Sequence, residues 1–235
     1  MRRAVVLAAG NGDRFLGSST PSKLLAPVAG MPLISRTLLT AACAGIQLID
    51  VIVGYQAGAV RAAAAAGAPP GVTVRFHQND RWHEENGVSA LVAKPHVGDE
   101  RFALLMGDHI FNWQVLARLL THPSAPGESL LAVDRGPATA VRADEATRVR
   151  LDGDRITAIG KQLEPFDALD TGVFVFASSI FAALEEAVAA GDTSLSGGVR
   201  RLAARGLMRG VETDGSAWCD VDTVADLREA AALFT

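Results

Sequence analysis

Arg3-Ala4-Val5-Val6-Leu7-Ala8-Ala9-Gly10-Asn11-Gly12-Asp13-Arg14 is the stretch on which the fold turns. An unbroken apolar run that stops at two glycines reads as a strand buried on both faces, as in the middle of a parallel sheet. Glycines directly after such a strand let backbone N–H groups approach a ligand, and Arg14 adds a cation suited to phosphate oxygens. Two other phosphate loops do not fit. A dinucleotide fingerprint needs a third glycine where Phe15 stands, and no Gly-Lys-Ser/Thr follows as a Walker loop requires.

Working outward, apolar segments alternate in kind. Pro32–Ala44 carries Leu33, Ile34, Leu38, Leu39 and Ala42 at helical spacing, with Pro32 suited to a first turn. Leu48–Val53 predicts a strand, Ala57–Ala66 an alanine-rich helix, and Val72–Phe76 a third strand. Val88–Lys94 predicts a short helix, Phe102–Met106 a fourth buried strand, and Trp113–Leu120 an amphipathic helix. Such alternation implies parallel strands joined by right-handed crossovers. The pattern then changes. Arg148–Leu151 and Arg155–Ile159 flank the turn pair in Asp152-Gly153-Asp154, a hairpin signal. Asp170–Phe176 predicts a strand, Ser179–Ala190 and Leu195–Ala204 helices, and Leu207–Val211 and Ala217–Val221 short strands. Thr223–Leu233 closes as a helix, with Thr223 as cap and Asp226 in the acidic third position. The expectation is one α/β domain over 1–235: a Rossmann-like, mostly parallel sheet with helices on both faces and a β-rich insertion.

Composition narrows the classes. The 235 residues are 49% hydrophobic and 20% charged, which excludes wholesale disorder. Lys and Arg total 22 against 26 Asp and Glu, a net charge of -4 that argues against a general nucleic-acid binder. The apolar stretches fall short of the roughly 20 residues of a spanning helix, and no signal peptide is recognisable, so a cytoplasmic chain is expected. Cys43 and Cys219, far apart, make neither a disulfide framework nor a metal knuckle and are expected as buried thiols.

Three residues invite chemistry on their own. Lys23, in Pro21-Ser22-Lys23-Leu24-Leu25, is a loop lysine that would ordinarily be solvated. Asp108, in Met106-Gly107-Asp108-His109-Ile110, follows the fourth strand, where parallel sheets bind ligands. Its oxygens suit Mg²⁺; the alternative is a cap for the next helix. His109 reads as structural, and no second His or Cys at ligand spacing supports zinc.

Leu7-Ala8-Ala9-Gly10-Asn11-Gly12-Asp13-Arg14, then Lys23, then Val28-Ala29-Gly30-Met31-Pro32-Leu33-Ile34 resembles the opening of sugar-phosphate nucleotidylyltransferases. Their usual form is LAAGxGxR followed by KPLxxVxGxPLI; here Leu24 replaces the usual proline. Asn86–Ser89 (NGVS), Met106–Ile110 (MGDHI), Ile159–Lys161 (IGK), Asp170–Phe174 (DTGVF), Ser194–Arg200 (SLSGGVR) and Trp218–Thr223 (WCDVDT) look most like inositol-1-phosphate cytidylyltransferases. The resemblance implies a nucleotidyltransferase, glycosyltransferase-A-like version of the fold and transfer of CMP from CTP to a small phosphorylated polyol.

The same resemblance assigns residues. Arg14 and Lys23 would be catalytic. Leu7, Ala8, Ala9, Gly10, Asn11 and Gly12, with Asn86, Gly87 and Ser89, would bind the nucleotide. Lys161, Asp170, Thr171 and Gly172 would hold the acceptor, and Asp108 with Asp220 would hold Mg²⁺. Asp222 stands where glycine is common and is expected to serve the final helix. No membrane insertion is implied, and a membrane CDP-alcohol phosphotransferase is expected as a separate downstream protein. Two alternatives stay open: another acceptor with another triphosphate, and a non-catalytic subunit that senses nucleotide sugars. Such sensors typically lose the arginine or the carboxylates, which are present here.

Overall fold

In the computed structural model, residues 2–12, 22–136 and 146–233 are described. Arg3–Ala8 forms β1, and its side chains divide by parity. Ala4, Val6 and Ala8 enter one apolar core; Val5 and Leu7 enter the other. The continuous hydrophobic run therefore reports a strand covered on both faces. After a short hairpin of β2 (Pro27–Val28) and β3 (Met31–Pro32), α1 spans Leu33–Cys43, β4 Leu48–Val53, α2 Ala57–Ala66 and β5 Thr73–Gln78. Pro32 stands just outside α1, at the N-cap position. Next come α3 (Asn86–Val92), α4 (Lys94–Val97), β6 (Phe102–Met106), β7 (His109–Phe111) and α5 (Trp113–Thr121). The chain continues through β8 (Ser129–Asp134), β9 (Arg148–Asp152), β10 (Arg155–Gly160) and β11 (Ala168–Phe176). It finishes with α6 (Ser179–Ala189), α7 (Leu195–Ala204), β12 (Met208–Glu212), β13 (Trp218–Asp220) and α8 (Val224–Leu233).

The main sheet runs β5-β4-β1-β6-β11-β8-β12-β10-β9. Its first four strands are parallel, as the strand–helix alternation implies. From β6 onward the sheet turns mixed: β11 is antiparallel to both β6 and β8, β8 is parallel to β12, and the β9–β10 hairpin is antiparallel. The antiparallel share is larger than an insertion, because β8 is a fully buried strand that the sequence reading lacked. Ser at its start and Asp at its end shorten the apolar run to four residues, too few to separate strand from loop by periodicity. Ala168 and Leu169 at the start of β11 pair back to β9, so β11, β8, β12, β10 and β9 close a ring of five strands.

Helices cover both faces. Ile34 and Leu38 of α1, Val60 of α2 and Leu116 of α5 pack on one side; Ala90 of α3, Leu184 of α6 and Val199 of α7 pack on the other. A third, small core of Val28, Leu33, Ile110, Cys219, Val221 and Ala230 lies where the tail meets β2 and β7. Cys219 is buried as expected; Cys43 is exposed, since it ends α1 beyond the residues that face the sheet. Thr223 and Asp226 form the expected box at the start of α8. The Asp226 carboxylate accepts from the Thr223 N–H at 2.6 Å, and the Asp226 N–H donates to the Thr223 hydroxyl at 3.2 Å.

Candidate active site

A cleft of about 660 Å³ opens beside the carboxyl ends of β1 and β6. Gly10, Asn11 and Gly12 line it, so the loop after β1 does face open space. Gly12 sits at φ +64, and a Cβ there would stand 3.0 Å from the Lys23 side chain. Glycine thus admits the lysine stem. Leu7, Ala8 and Ala9 are buried beneath this loop. The Leu7 carbonyl accepts from Gly107 N–H at 2.9 Å, and the Ala9 carbonyl from Tyr55 N–H at 2.9 Å. They support the loop and do not line the cleft. Arg14 lies outside the described residues.

Lys23 is buried at the cleft floor, not solvated. It begins a single 3₁₀ turn in which the Leu24 N–H donates to the Ser22 hydroxyl at 3.3 Å, a bond that a proline at position 24 could not make. The Lys23 ammonium lies 2.6 Å from Asp108 Oδ2 and 2.8 Å from Asp222 Oδ1. Burial alone would lower its pKa; Asp108, then Asp222, outweigh burial and hold it above the usual lysine range. Asp222 therefore belongs to the site. Its carboxylate serves Lys23, while its N–H goes to Asp226 at 3.0 Å. The only signal for this was its departure from the glycine usual at that place, since spacing cannot pair residues 23 and 222.

Asp108 is held by its neighbours. Gly107 is fixed on one side by Leu7, and its carbonyl is 3.2 Å from the Thr37 hydroxyl of α1. Asp108 O accepts from Val221 N–H at 3.1 Å. It caps no helix, because β7 intervenes before α5. The two-stranded pairing of β7 with β13 aligns His109 with Asp220, which brings the two carboxylates together from distant parts of the chain. Donor atoms of Asp108, His109 and Asp220 all lie within 4.8 Å of one another. Two hard carboxylates and one imidazole in that space form a donor set that fits a divalent cation.

His109 is more than structural filler. Its Nδ1 is 2.9 Å from the Thr171 carbonyl, while Nε2 lies 3.4 Å from Asp220 Oδ1 and 3.9 Å from Asp108 Oδ1. Burial pulls the imidazole pKa down, but Asp220, then Asp108, hold it up to about 10. Positive charge is thus already drawn to the place between the carboxylates. Gly172, at φ +75, makes room for the ring: a Cβ there would stand 2.3 Å from Nδ1.

The other expected residues separate into two groups. Asn86, Lys161, Asp170 and Gly172 line the cleft. The Asn86 side-chain oxygen accepts from Leu195 N–H at 2.9 Å, tying the start of α3 to that of α7. Asp170 Oδ1 accepts from Gly172 N–H at 2.7 Å; burial pushes its carboxyl up to about 6 despite that bond. Gly87, Ser89 and Thr171 are buried off the cleft. A Cβ on Gly87 would collide with the Thr193 and Ser194 carbonyls at 2.6 Å. The Ser89 hydroxyl accepts from the Asn79 amide at 2.9 Å, and the Thr171 hydroxyl donates to Ala132 O at 2.9 Å. These three hold the scaffold behind the cleft.

Known proteins resemble this chain along most of its length. A family described as MobA-like NTP transferase domain matches residues 4–209. A bifunctional IPC transferase and DIPP synthase of Rubrobacter xylanophilus is 38% identical over 96% of this chain and 50% of that protein. The protein of the same name from Archaeoglobus fulgidus is 36% identical over 98% of this chain and 43% of its own length. The chain therefore spans about half the length of the curated relatives it matches. Among solved structures, the inositol-1-phosphate CTP transferase from T. maritima superposes with a TM-score of 0.85 at 22% identity, covering 99% of this chain and 96% of that one. That likeness shows the Rossmann-like nucleotidyltransferase fold. Among the described residues no helix is long and apolar enough to cross a membrane.

Proposed function

The chain belongs to the MobA-like NTP transferase domain family, and from that premise we propose that it moves a nucleotidyl group, CMP from CTP first, onto a cyclitol or sugar phosphate, inositol 1-phosphate first, with release of pyrophosphate. The observation that carries this is the gathering in one cleft of the glycine loop, the doubly paired Lys23 and the Asp108–Asp220 couple with Lys161 and Asp170. The names of the relatives above support the choice of base and acceptor.

In this reading an acceptor phosphate oxygen, anionic at neutral pH, attacks the α-phosphorus. The new O–P bond forms as the bond to the bridging oxygen breaks, and pyrophosphate leaves with that electron pair. No general base is needed; the protein positions the reactants and neutralises charge. Amides of Gly10 to Gly12, with Arg14, bind the triphosphate, and Lys23 meets charge developing at the α-phosphoryl group. Asn86, Gly87 and Ser89 form the nucleobase end, Asn86 by contact and the other two by holding α3. Asp108 and Asp220 hold a divalent ion, Mg²⁺ in the cell, which when bound neutralises phosphate oxygens. Lys161 docks the acceptor phosphate. Asp170 accepts from a ring hydroxyl through the oxygen that Gly172 does not use, with Thr171 and Gly172 fixing its turn. Residues 1–235 act as one nucleotidylyltransferase unit in the cytoplasm, and the product is of the class that a CDP-alcohol phosphotransferase consumes.

A matrix of four nucleoside triphosphates against inositol, hexose and choline phosphates, read by pyrophosphate release, tests the proposal. CTP with an inositol phosphate is expected to be the fastest pair. If it ranks among the slowest, the assignment of base and acceptor falls. Absence of turnover with every pair would favour the sensing subunit.

A further inference from the structure

The imidazole of His109 is held in the attitude of a ligand. Its Nδ1 faces a main-chain carbonyl, Thr171 O, at 2.9 Å. A ring fixed through one nitrogen by a backbone carbonyl presents the other nitrogen in a set direction, as metal-binding histidines do. Here that other nitrogen, Nε2, points between Asp220 Oδ1 at 3.4 Å and Asp108 Oδ1 at 3.9 Å. Asp108 offers its Oδ1 because Oδ2 is taken by Lys23. Three features of the chain set the ring in place. Gly172 vacates the space a Cβ would fill, the β7–β13 register sets His109 opposite Asp220, and Trp218 stacks near the imidazole with ring centroids 6.5 Å apart.

We propose that His109 is a third protein ligand of the ion held by Asp108 and Asp220, making a two-carboxylate, one-imidazole site that takes Mn²⁺ and Co²⁺ more tightly than Mg²⁺. The proposal rests on the carboxylate-pair reading above and deepens it. Oxygen donors alone suit Mg²⁺, which binds nitrogen weakly and keeps several waters. One imidazole shifts preference toward later divalent ions, whose affinity for nitrogen rises along the series from manganese to cobalt. Mg²⁺ can still bind through the two carboxylates, so the imidazole alters which ions compete best.

The test is made on metal-free protein with Mn²⁺, Co²⁺ or Mg²⁺ added alone in imidazole-free buffer. Pulsed electron paramagnetic resonance of the Mn²⁺ complex is expected to show nitrogen coupling in the wild type and none in His109→Ala or His109→Gln. Equilibrium dialysis should show the Mn²⁺-to-Mg²⁺ affinity ratio falling about tenfold in those variants, with Mg²⁺ affinity itself changing far less. Mn²⁺ bound without nitrogen coupling in the wild type overturns the role of His109 and leaves the carboxylate pair standing. Mn²⁺ bound as tightly by Asp108→Asn and Asp220→Asn as by the wild type overturns both readings. The wild-type spectrum decides the ligand even if a His109 variant does not fold.

Discussion

Lys23 shows how much one side chain can be asked to do. Its ammonium is the shared partner of Asp108 and Asp222, so removing it takes one cation from two carboxylates at a largely buried place. Breaking a buried pair from one side costs about 3–5 kcal/mol. Lys23→Ala should therefore lower urea stability by about 3 kcal/mol and depress kcat roughly 10²-fold, the cost of losing one preorganised electrostatic donor. Asp222→Asn should cost less in stability, because Lys23 keeps Asp108. A Lys23→Ala protein that unfolds at the wild-type urea concentration would count against the bridge. Asp170 makes the opposite contribution. Its carboxyl is pushed up to about 6 from an ordinary value of 3.8, so the protein is favoured while Asp170 is protonated. That advantage is present below the unfolded value and lost as pH rises through about 6, amounting to about 3 kcal/mol. Asp170→Asn, which has no charge to bury, should gain stability relative to wild type between pH 4 and pH 7.5 in chelator-treated protein. A difference that stays flat over that range would show that Asp170 titrates normally.

The elements explain which parts of the site were legible in the sequence. β1 and its glycines announced themselves because a double-sided strand and a phosphate loop each leave a local pattern. Lys23, Asp108 and Asp220 stood out by motif, but their meeting depends on β7 pairing with β13, a contact between three-residue strands that carry almost no periodic signal. The same holds for Asp222 and His109, whose roles lie in partners supplied by other elements. Gly87, Ser89 and Thr171 show the converse, since they sit inside site motifs yet serve packing. Gly172 and Gly153 separate a positional need from a merely conformational one. Both have positive φ, but a Cβ on Gly172 meets His109 while one on Gly153, at the β9–β10 turn, meets nothing within 4 Å. Gly153→Ala should cost only about 1–2 kcal/mol of backbone strain and leave turnover intact. Gly172→Ala should also lower turnover at least about tenfold, because the displaced ring disturbs the carboxylates on either side. Equal turnover in the two variants would mean that the ring's position is immaterial. Lys161, just after β10, would as the dock for the acceptor phosphate meet a charge present before and during reaction. Lys161→Ala should therefore raise the acceptor KM and leave that of the nucleotide nearly unchanged. Weakened nucleotide binding instead would overturn its placement beside the acceptor.

At the scale of the whole molecule, the site is shared between parts of unequal cohesion. The loop after β1 and the Asp108 turn are rooted in the two large cores, whereas Asp220 and Asp222 ride on a tail that reaches the first core only through Trp218 among the described residues and otherwise packs in the small cluster around Val28, Leu33, Ile110 and Ala230. A unit with few buried neighbours opens at lower free energy than the sheet it leans on. Hydrogen exchange should find β13 and the first turn of α8 less protected than β1, β4 and β6, with nucleotide and divalent ion together slowing exchange in the tail most. Uniform protection across the molecule would refute that inequality. The tail also has a place in time. β13 follows every strand of the main sheet in chain order. On the ribosome, where synthesis runs at roughly 5–20 residues per second, the nascent sheet can assemble while the second carboxylate is still unmade. The growing polypeptide is thus expected to remain inert towards its substrates until translation has passed Asp220, so that catalytic competence arrives only after every strand of the main sheet has been made.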